Sequence, residues 1–330
     1  MKNAIVISTG AYLPEQIIPN QYFNAYFKED VDTWLRENMH IYERRWCAAD
    51  ESAADLCEKA ANQALQRANI SADELNLLIV ATDTPEFISP STAAVVQHRI
   101  RATNAGTFDL NSACAGFVTG LDVAAKYILA DDQYQYVMVI GAYAMSKYLN
   151  KDDKKTVTLF ADGAGAVILK CDNNNIEQGV LCSKLISKGE FYDWMGIYAG
   201  ATHMPTTQGV LERRDHLLKF VKKFPKELNP DIWTMMVRDL CAKCKIQPSN
   251  LDHFFMTQIN INAIWETLDR LNVPRNSAET VMHYYGYTGS AAIPIALNQR
   301  MESGNIQQGD WGMFIGSGGG LAFAAAVVKF

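Results

Sequence analysis

Short β-rich apolar runs and helical patterns take turns along most of this chain, and few fold classes accommodate that order. The first half reads as a strand (AIVISTGAYL), helices, a strand (LNLLIVATDT), a helix (STAAVVQHRIR), a strand (AGTFDL), a helix (CAGFVTGLDVAAKYILA), a strand (YQYVMVIGAYA) and a hairpin (TVTLFADGAGAVILK). The second half holds a strand (HFFMTQI), a helix (INAIWETLDRL) and a final hairpin (DWGMFIGSGGGLAFAAAVVKF). Apolar strands alternating with helices belong to α/β architecture, in which helices cover both faces of a sheet. The halves echo each other. DGAGAVILK resembles GSGGGLAFAAAVVKF, and the strand and helix around Cys114 resemble the strand and helix around Thr257. We therefore expect two halves, residues 1–172 and 173–330, with a site at their junction. A less regular cover segment spans about 183–232. Within it LERRDHLLKFVKKF has amphipathic helical spacing, and its charges read either as a solvated face or as a dock for an acidic protein.

Composition narrows the function classes. With 330 residues, 48% hydrophobic and 20% charged, the chain buries a large core and is not disordered. A net charge of −6 argues against nucleic-acid and anionic-membrane surfaces. No apolar run reaches the roughly 18 residues of a spanning helix, so membrane insertion is not expected. MKNAIVISTGAYLPEQ reads as a first strand rather than a signal peptide, and seven scattered cysteines read as reduced thiols of a cytoplasmic protein. The lone CxxC of Cys241 and Cys244 cannot complete a tetrahedral site, so no metal is expected.

The chemistry-bearing segment is TFDLNSACAGFVTG. A strand ends at Leu110 and a helix follows Cys114, which places the thiol at a strand-to-helix turn. Unpaired N–H groups and the positive end of the macrodipole there favour a thiolate, and the same N–H groups can hold an oxyanion. Ala113, Ala115 and Gly116 leave room for a carbonyl to approach. Two readings stand: a nucleophile, or one more buried packing cysteine. The GSGGG run at 316–320 reads either as a tight turn or as an oxyanion donor, and a following strand makes a phosphate loop a poor fit.

Taken together, DLNSACAGF, LFADGAGAVIL, YGYTGSAAIPIAL and GSGGGLAFAAAVVKF resemble the β-ketoacyl-acyl-carrier-protein synthase III family of the thiolase superfamily, over nearly the whole chain. The resemblance implies a thiolase-type five-layered α/β/α/β/α fold built from two βαβαβαββ halves. It also implies a homodimer, and an acyl-CoA or acyl carrier protein that loads Cys114 as substrate, with no permanently bound cofactor. It implies an oxyanion hole from the N–H groups of Cys114 and Gly319, and Trp34 stacking on the CoA adenine. Lys154 replaces an arginine of the cofactor channel, and Asn262 and Asn38 stand where arginines contact CoA or the carrier. Phe87 and Ser89, in EFISPSTA, fall at the acyl pocket near the dimer interface, where a small residue implies a longer acyl chain.

Two departures matter most. The family's HQAN reads TQIN here, with Thr257 at the histidine, and its YGNTS reads YGYTG, with Tyr287 at the asparagine. In the family those two residues donate to the malonyl thioester oxygen, and losing one such donor costs on the order of 10²–10³ in rate. Three readings follow. One is a condensing enzyme with impaired decarboxylative condensation. The second is a non-decarboxylative acyltransferase or thioesterase. The third is a supporting subunit of a heterodimer with a paralogue.

Overall fold

The computed structural model describes residues 2–173 and 177–330. Its strands, in chain order, are β1 (Asn3–Tyr12), β2 (Gln16–Pro19), β3 (Glu43–Trp46), β4 (Leu77–Ala81), β5 (Gly106–Leu110), β6 (Tyr136–Ala144), β7 (Asp162–Asp172), β8 (Gly179–Ser187), β9 (Met195–Gly196), β10 (Lys219–Phe220), β11 (His253–Met256), β12 (Trp311–Gly318) and β13 (Ala322–Lys329). Six longer helices matter for the site: α1 (Ala53–Ala68), α2 (Thr92–Ile100), α3 (Gly116–Ala130), α4 (Leu228–Cys244), α5 (Ile261–Leu271) and α6 (Ala292–Glu302).

Two sheets form the frame. The first has the order β1-β7-β6-β4-β5, with β4 parallel to both β5 and β6. The second has the order β11-β12-β13-β8, with β11 parallel to β12. Helices α3 and α6 lie between the sheets, α1 and α2 cover the outer face of the first, and α4 and α5 cover the second. The architecture is the expected α/β/α/β/α sandwich. Side-chain alternation explains it. Along β6, Val137 and Val139 face the central apolar cluster while Met138 and Ile140 face the outer one, so both faces of this strand are buried.

The sheet order corrects the internal echo. In the first sheet the strand next to β6 is β4; in the second, the strand next to β12 is β11. The strand into Thr257 therefore corresponds to β4, not to β5, which leads to Cys114. The counterpart of β5 shrinks to a single parallel bridge, Phe254 with Ala278. The segment TVTLFADGAGAVILK is likewise no hairpin of its own: it holds one long strand, β7, which pairs with β6 and β1.

The irregular cover runs from 188 to 227, because β8 extends to Ser187 and α4 starts at Leu228. LERRDHLLKFVKKF is not a helix beyond Glu212. Its apolar residues anchor an extended path instead, with Leu218 N donating to Tyr148 O and Val221 N to Trp194 O. One stretch, Ala113–Ala130, does pass the length and hydropathy test for a membrane span, contrary to expectation. Its apolar character has another cause: it is the central helix, covered by sheets on both sides. The CxxC does not close on itself either, since Cys244 Sγ lies 2.6 Å from Cys182 Sγ on β8.

Candidate active site

The chain leaves β5 at Leu110 and turns sharply. Asn111 Oδ1 accepts from Ala113 N, Ala113 takes a φ of 45°, and a 3-10 turn over Ala113–Ala115 runs into α3. An alanine in the left-handed region costs on the order of 1 kcal/mol, so this turn is held by what packs on it. That packing comes from the end of β12. A Cβ on Gly318 would stand 2.3 Å from Cys114 N, and one on Gly316 would stand 2.8 Å from Ala115 Cα. Only glycine permits this approach. The run 316–320 is therefore both the β12–β13 turn and a wall of the Cys114 site. Outside helix and strand ladders, neither Cys114 N–H nor Gly319 N–H donates to a backbone carbonyl among the described residues.

Cys114 and Gly319 line a cavity of about 740 Å³. Tyr287 and Ser317 share its inner end. Trp34, half exposed, stands on the wall, and Lys154, Lys155, Lys223 and Lys226 contribute its cationic lining against one carboxylate, Asp30. Phe220 and Phe224 bring the cover segment into the wall. Lys154 is not free: its Nζ donates to Glu29 Oε1 at 2.6 Å.

The other predicted residues are placed differently. Thr257 is buried and does not line the cavity, because its hydroxyl is engaged with β12. Its Oγ1 accepts from Ser317 N at 2.8 Å and donates to Ser317 O at 3.3 Å. Asn262 also stays outside: its Nδ2 donates to Asn38 O, and Asn38 Nδ2 donates to Trp34 O, so the pair braces the Trp34 segment. Phe87 and Ser89 do not line the cavity; they lie on an exposed segment where Phe87 is 51% and Ile88 83% exposed.

Tyr287 is buried, its ring 5.4 Å from Phe160 and 6.5 Å from Tyr143, and it shares the cavity lining with Cys114. The expectation of a ready thiolate is corrected here. Burial pushes the Cys114 thiol well above its ordinary pKa, and the negative charge of Asp83 adds to that. The neighbouring Tyr287 hydroxyl and the Cys114 backbone N–H pull it back by less. Burial likewise drives the Tyr287 phenol upward.

Sequence reasoning missed Asp83 and Tyr143. Asp83 follows the fully buried strand LLIVA, its Oδ1 is sealed without a hydrogen-bond partner, and burial raises its carboxyl to about 6. A carboxylate just past the carboxyl end of a buried parallel strand was the available signal. Among the described residues, no histidine lines the cavity. His253 Nε2 pairs with Asp310, and His283 bonds His40 O and Thr280.

Comparisons with known proteins agree on one family. The sequence model of 3-oxoacyl-[acyl-carrier-protein (ACP)] synthase III matches residues 108–189, and that of its C-terminal part matches 241–330. The β-ketoacyl-[acyl-carrier-protein] synthase III of Clostridioides difficile (strain 630) is 33% identical over 335 residues, covering 98% of each chain. Among solved structures, the 3-oxoacyl-[acyl-carrier-protein] synthase III of Aquifex aeolicus VF5 superposes with a TM-score of 0.87 at 28% identity, over 99% of this chain and 100% of that one. The synthase III of Thermus thermophilus gives 0.89 at 29% identity, over 98% of each.

Proposed function

Because the chain belongs to the β-ketoacyl-[acyl-carrier-protein] synthase III family of thiolase-fold acyltransferases, we propose that it takes an acyl group from an acyl thioester onto Cys114 and passes it on without efficient decarboxylative condensation. The sulfur attacks the thioester carbonyl, the carrier thiol leaves with a proton, and a thioester on Cys114 results. The developing oxyanion would meet the N–H groups of Cys114 and Gly319.

One observation carries the second half of this reading. At the two positions where the family places its malonyl-side donors, Thr257 has its hydroxyl committed to the Ser317 backbone, and Tyr287 puts a bulky buried phenol in the cavity that Cys114 lines. The buried phenol ring also occupies volume beside Cys114. Removing one such donor typically costs about 3–4 kcal/mol of transition-state stabilisation, and residues that act as a unit do not add. The acceptor is then an alcohol, an amine or water in place of a malonyl carbanion. Four lysines along the cavity support an anionic carrier, the phosphates of CoA or an acidic carrier protein. The exposed Phe87 and Ile88 support self-association at that edge.

Intact-mass spectrometry after incubation with a panel of acyl-CoAs tests this, with Cys114→Ala as control. The expected result is an adduct on the wild type that malonyl thioester does not discharge. Carbon dioxide release with a β-keto product would overturn the reading of Thr257 and Tyr287.

A further inference from the structure

The cysteines of this chain are mostly buried, as packing residues are, but two from separate elements meet sulfur to sulfur. Cys182 on β8 and Cys244 at the end of α4 have their Sγ atoms 2.6 Å apart, although they stand 62 positions apart in the chain. We propose that Cys182 and Cys244 form a thiol–disulfide exchange site, which a small-molecule disulfide converts into an intramolecular bridge. The proposal stands independently of what Cys114 does.

The contact follows from how the two elements face each other. Side chains alternate along β8, so Cys182, Lys184 and Ile186 point to one side and Ser183 to the other. Ser183 Oγ donates to Asp122 Oδ1 on α3, between the sheets, while Lys184 Nζ pairs with Asp239 Oδ2 on α4. On α4, Val237, Leu240, Cys241 and Cys244 recur at helical spacing and pack toward the second sheet. Cys182 Sγ also reaches the Leu240 carbonyl at 3.7 Å. The ion pair and this packing hold β8 against the last turns of α4, and with them the two sulfurs.

Access differs between the pair. β8 is an edge strand of the second sheet; Cys182 is 7% exposed there, and Cys244 is partly exposed. Cys244 is the sulfur that an outside disulfide meets first, and it must attack as the thiolate. The carboxyl end of a helix disfavours that form. Two groups oppose it: the Cys182 thiol at hydrogen-bond contact and the Lys243 ammonium hold Cys244 below its ordinary pKa despite its partial burial. The same contact, with burial, pushes Cys182 up, which suits a thiol that reacts second. In the first step Cys244 releases its proton and attacks one sulfur of the small disulfide, whose other half leaves as a thiolate. Cys182 then releases its proton and attacks Cys244 Sγ, and the second small thiolate leaves. The two departing thiolates take up the two protons, so two protein thiols are oxidised and one disulfide is reduced to two thiols.

The bridge closes a covalent loop over residues 182–244 that contains the whole irregular cover, since β8 ends at Ser187 and α4 starts at Leu228. Phe220, Lys223, Phe224 and Lys226 of that cover line the Cys114 cavity, so the bridge ties together the two flanks of a wall-forming segment. Cys241, one turn before Cys244, is sealed at 1% exposure.

The test incubates the full chain with glutathione disulfide, quenches with iodoacetamide and maps the cysteine peptides by mass. The wild type should yield one peptide pair joined through Cys182 and Cys244 and released by dithiothreitol. Its Tm should exceed that of the reduced protein by roughly 5 °C, because a bridge restricts the unfolded chain. Cys182→Ser should instead retain one glutathione on Cys244, since the thiol that resolves the mixed disulfide is gone. Cys244→Ser should leave Cys182 free. Wild-type Cys182 and Cys244 both alkylated after the incubation, or a glutathione that persists on wild-type Cys244, would overturn the inference. A bridge to Cys241 in place of Cys182 would overturn the pairing, and a bridge that leaves Tm unchanged would overturn the clamp on the cover. Should either variant fail to fold, the wild-type peptide map decides alone.

Discussion

Strands β4 and β11 hold equivalent places in the two sheets, each parallel to its neighbour and each ending beside the same buried region, yet their ends differ. Past β11, Thr257 is tied to Ser317, and Gln258 is tied on both sides, its Oε1 accepting from Val281 N and Met282 N and its Nε2 donating to Glu279 O. Past β4, Asp83 leaves an oxygen sealed and unpartnered. Buried polar groups with full partners hold structure, whereas those without partners are the ones available for chemistry. Past β11 the buried polar groups are held by backbone partners, and past β4 the chain carries an unpartnered charge.

Four substitutions would break or sharpen that contrast. Cys114→Ala has the largest effect: it should abolish any covalent acyl adduct, read by intact mass, and an adduct elsewhere would remove the sulfur from the account. Asp83→Asn should stabilise the fold at neutral pH. The folded carboxyl titrates near 6 against an ordinary value near 3.8, so its charge costs up to about 3 kcal/mol above pH 6. The sign follows from the raised value: the cost is full above the folded pKa, falls as pH drops from 6 toward 4, and is absent below. Urea unfolding at pH 7.5 and pH 4 checks it, with the gain expected only at the higher pH.

Thr257→Val comes next. Loss of the hydroxyl leaves the buried Ser317 N–H unpartnered and should cost roughly 1–3 kcal/mol of stability, with loading changed little. A collapse of loading in a variant that stays folded would return Thr257 to the chemistry. Lys154→Ala should do least. Its ion pair with Glu29 is about half exposed on both sides and contributes under about 1 kcal/mol, so a modest rise in KM for acyl-CoA, largest at low salt, is the expected readout.

Much of this was legible in the residues. Alternating strand and helix patterns imply the layered sandwich, and LNSACAG between a strand and a helix locates the thiol at a turn. Gly316 and Gly318 were visible as a glycine run, and the close approach they permit explains it. What could not be read depends on sheet order. The equivalence of β11 with β4, and not with β5, follows from pairing that local sequence does not encode. The same holds for the engagement of Thr257 by Ser317, 60 residues away. Helical spacing in LERRDHLLKFVKKF was misleading because Leu218 and Val221 find distant backbone partners as an extended segment. A thiolate was expected from the helix start alone, and burial with Asp83 nearby reverses that balance.

The most direct measurement follows the Cys114 peptide by mass after acyl-CoA treatment and then after addition of malonyl thioester. We predict an acyl mass on Cys114 that persists through the second addition, with carbon dioxide at background. Rapid loss of that mass with stoichiometric carbon dioxide would contradict the account.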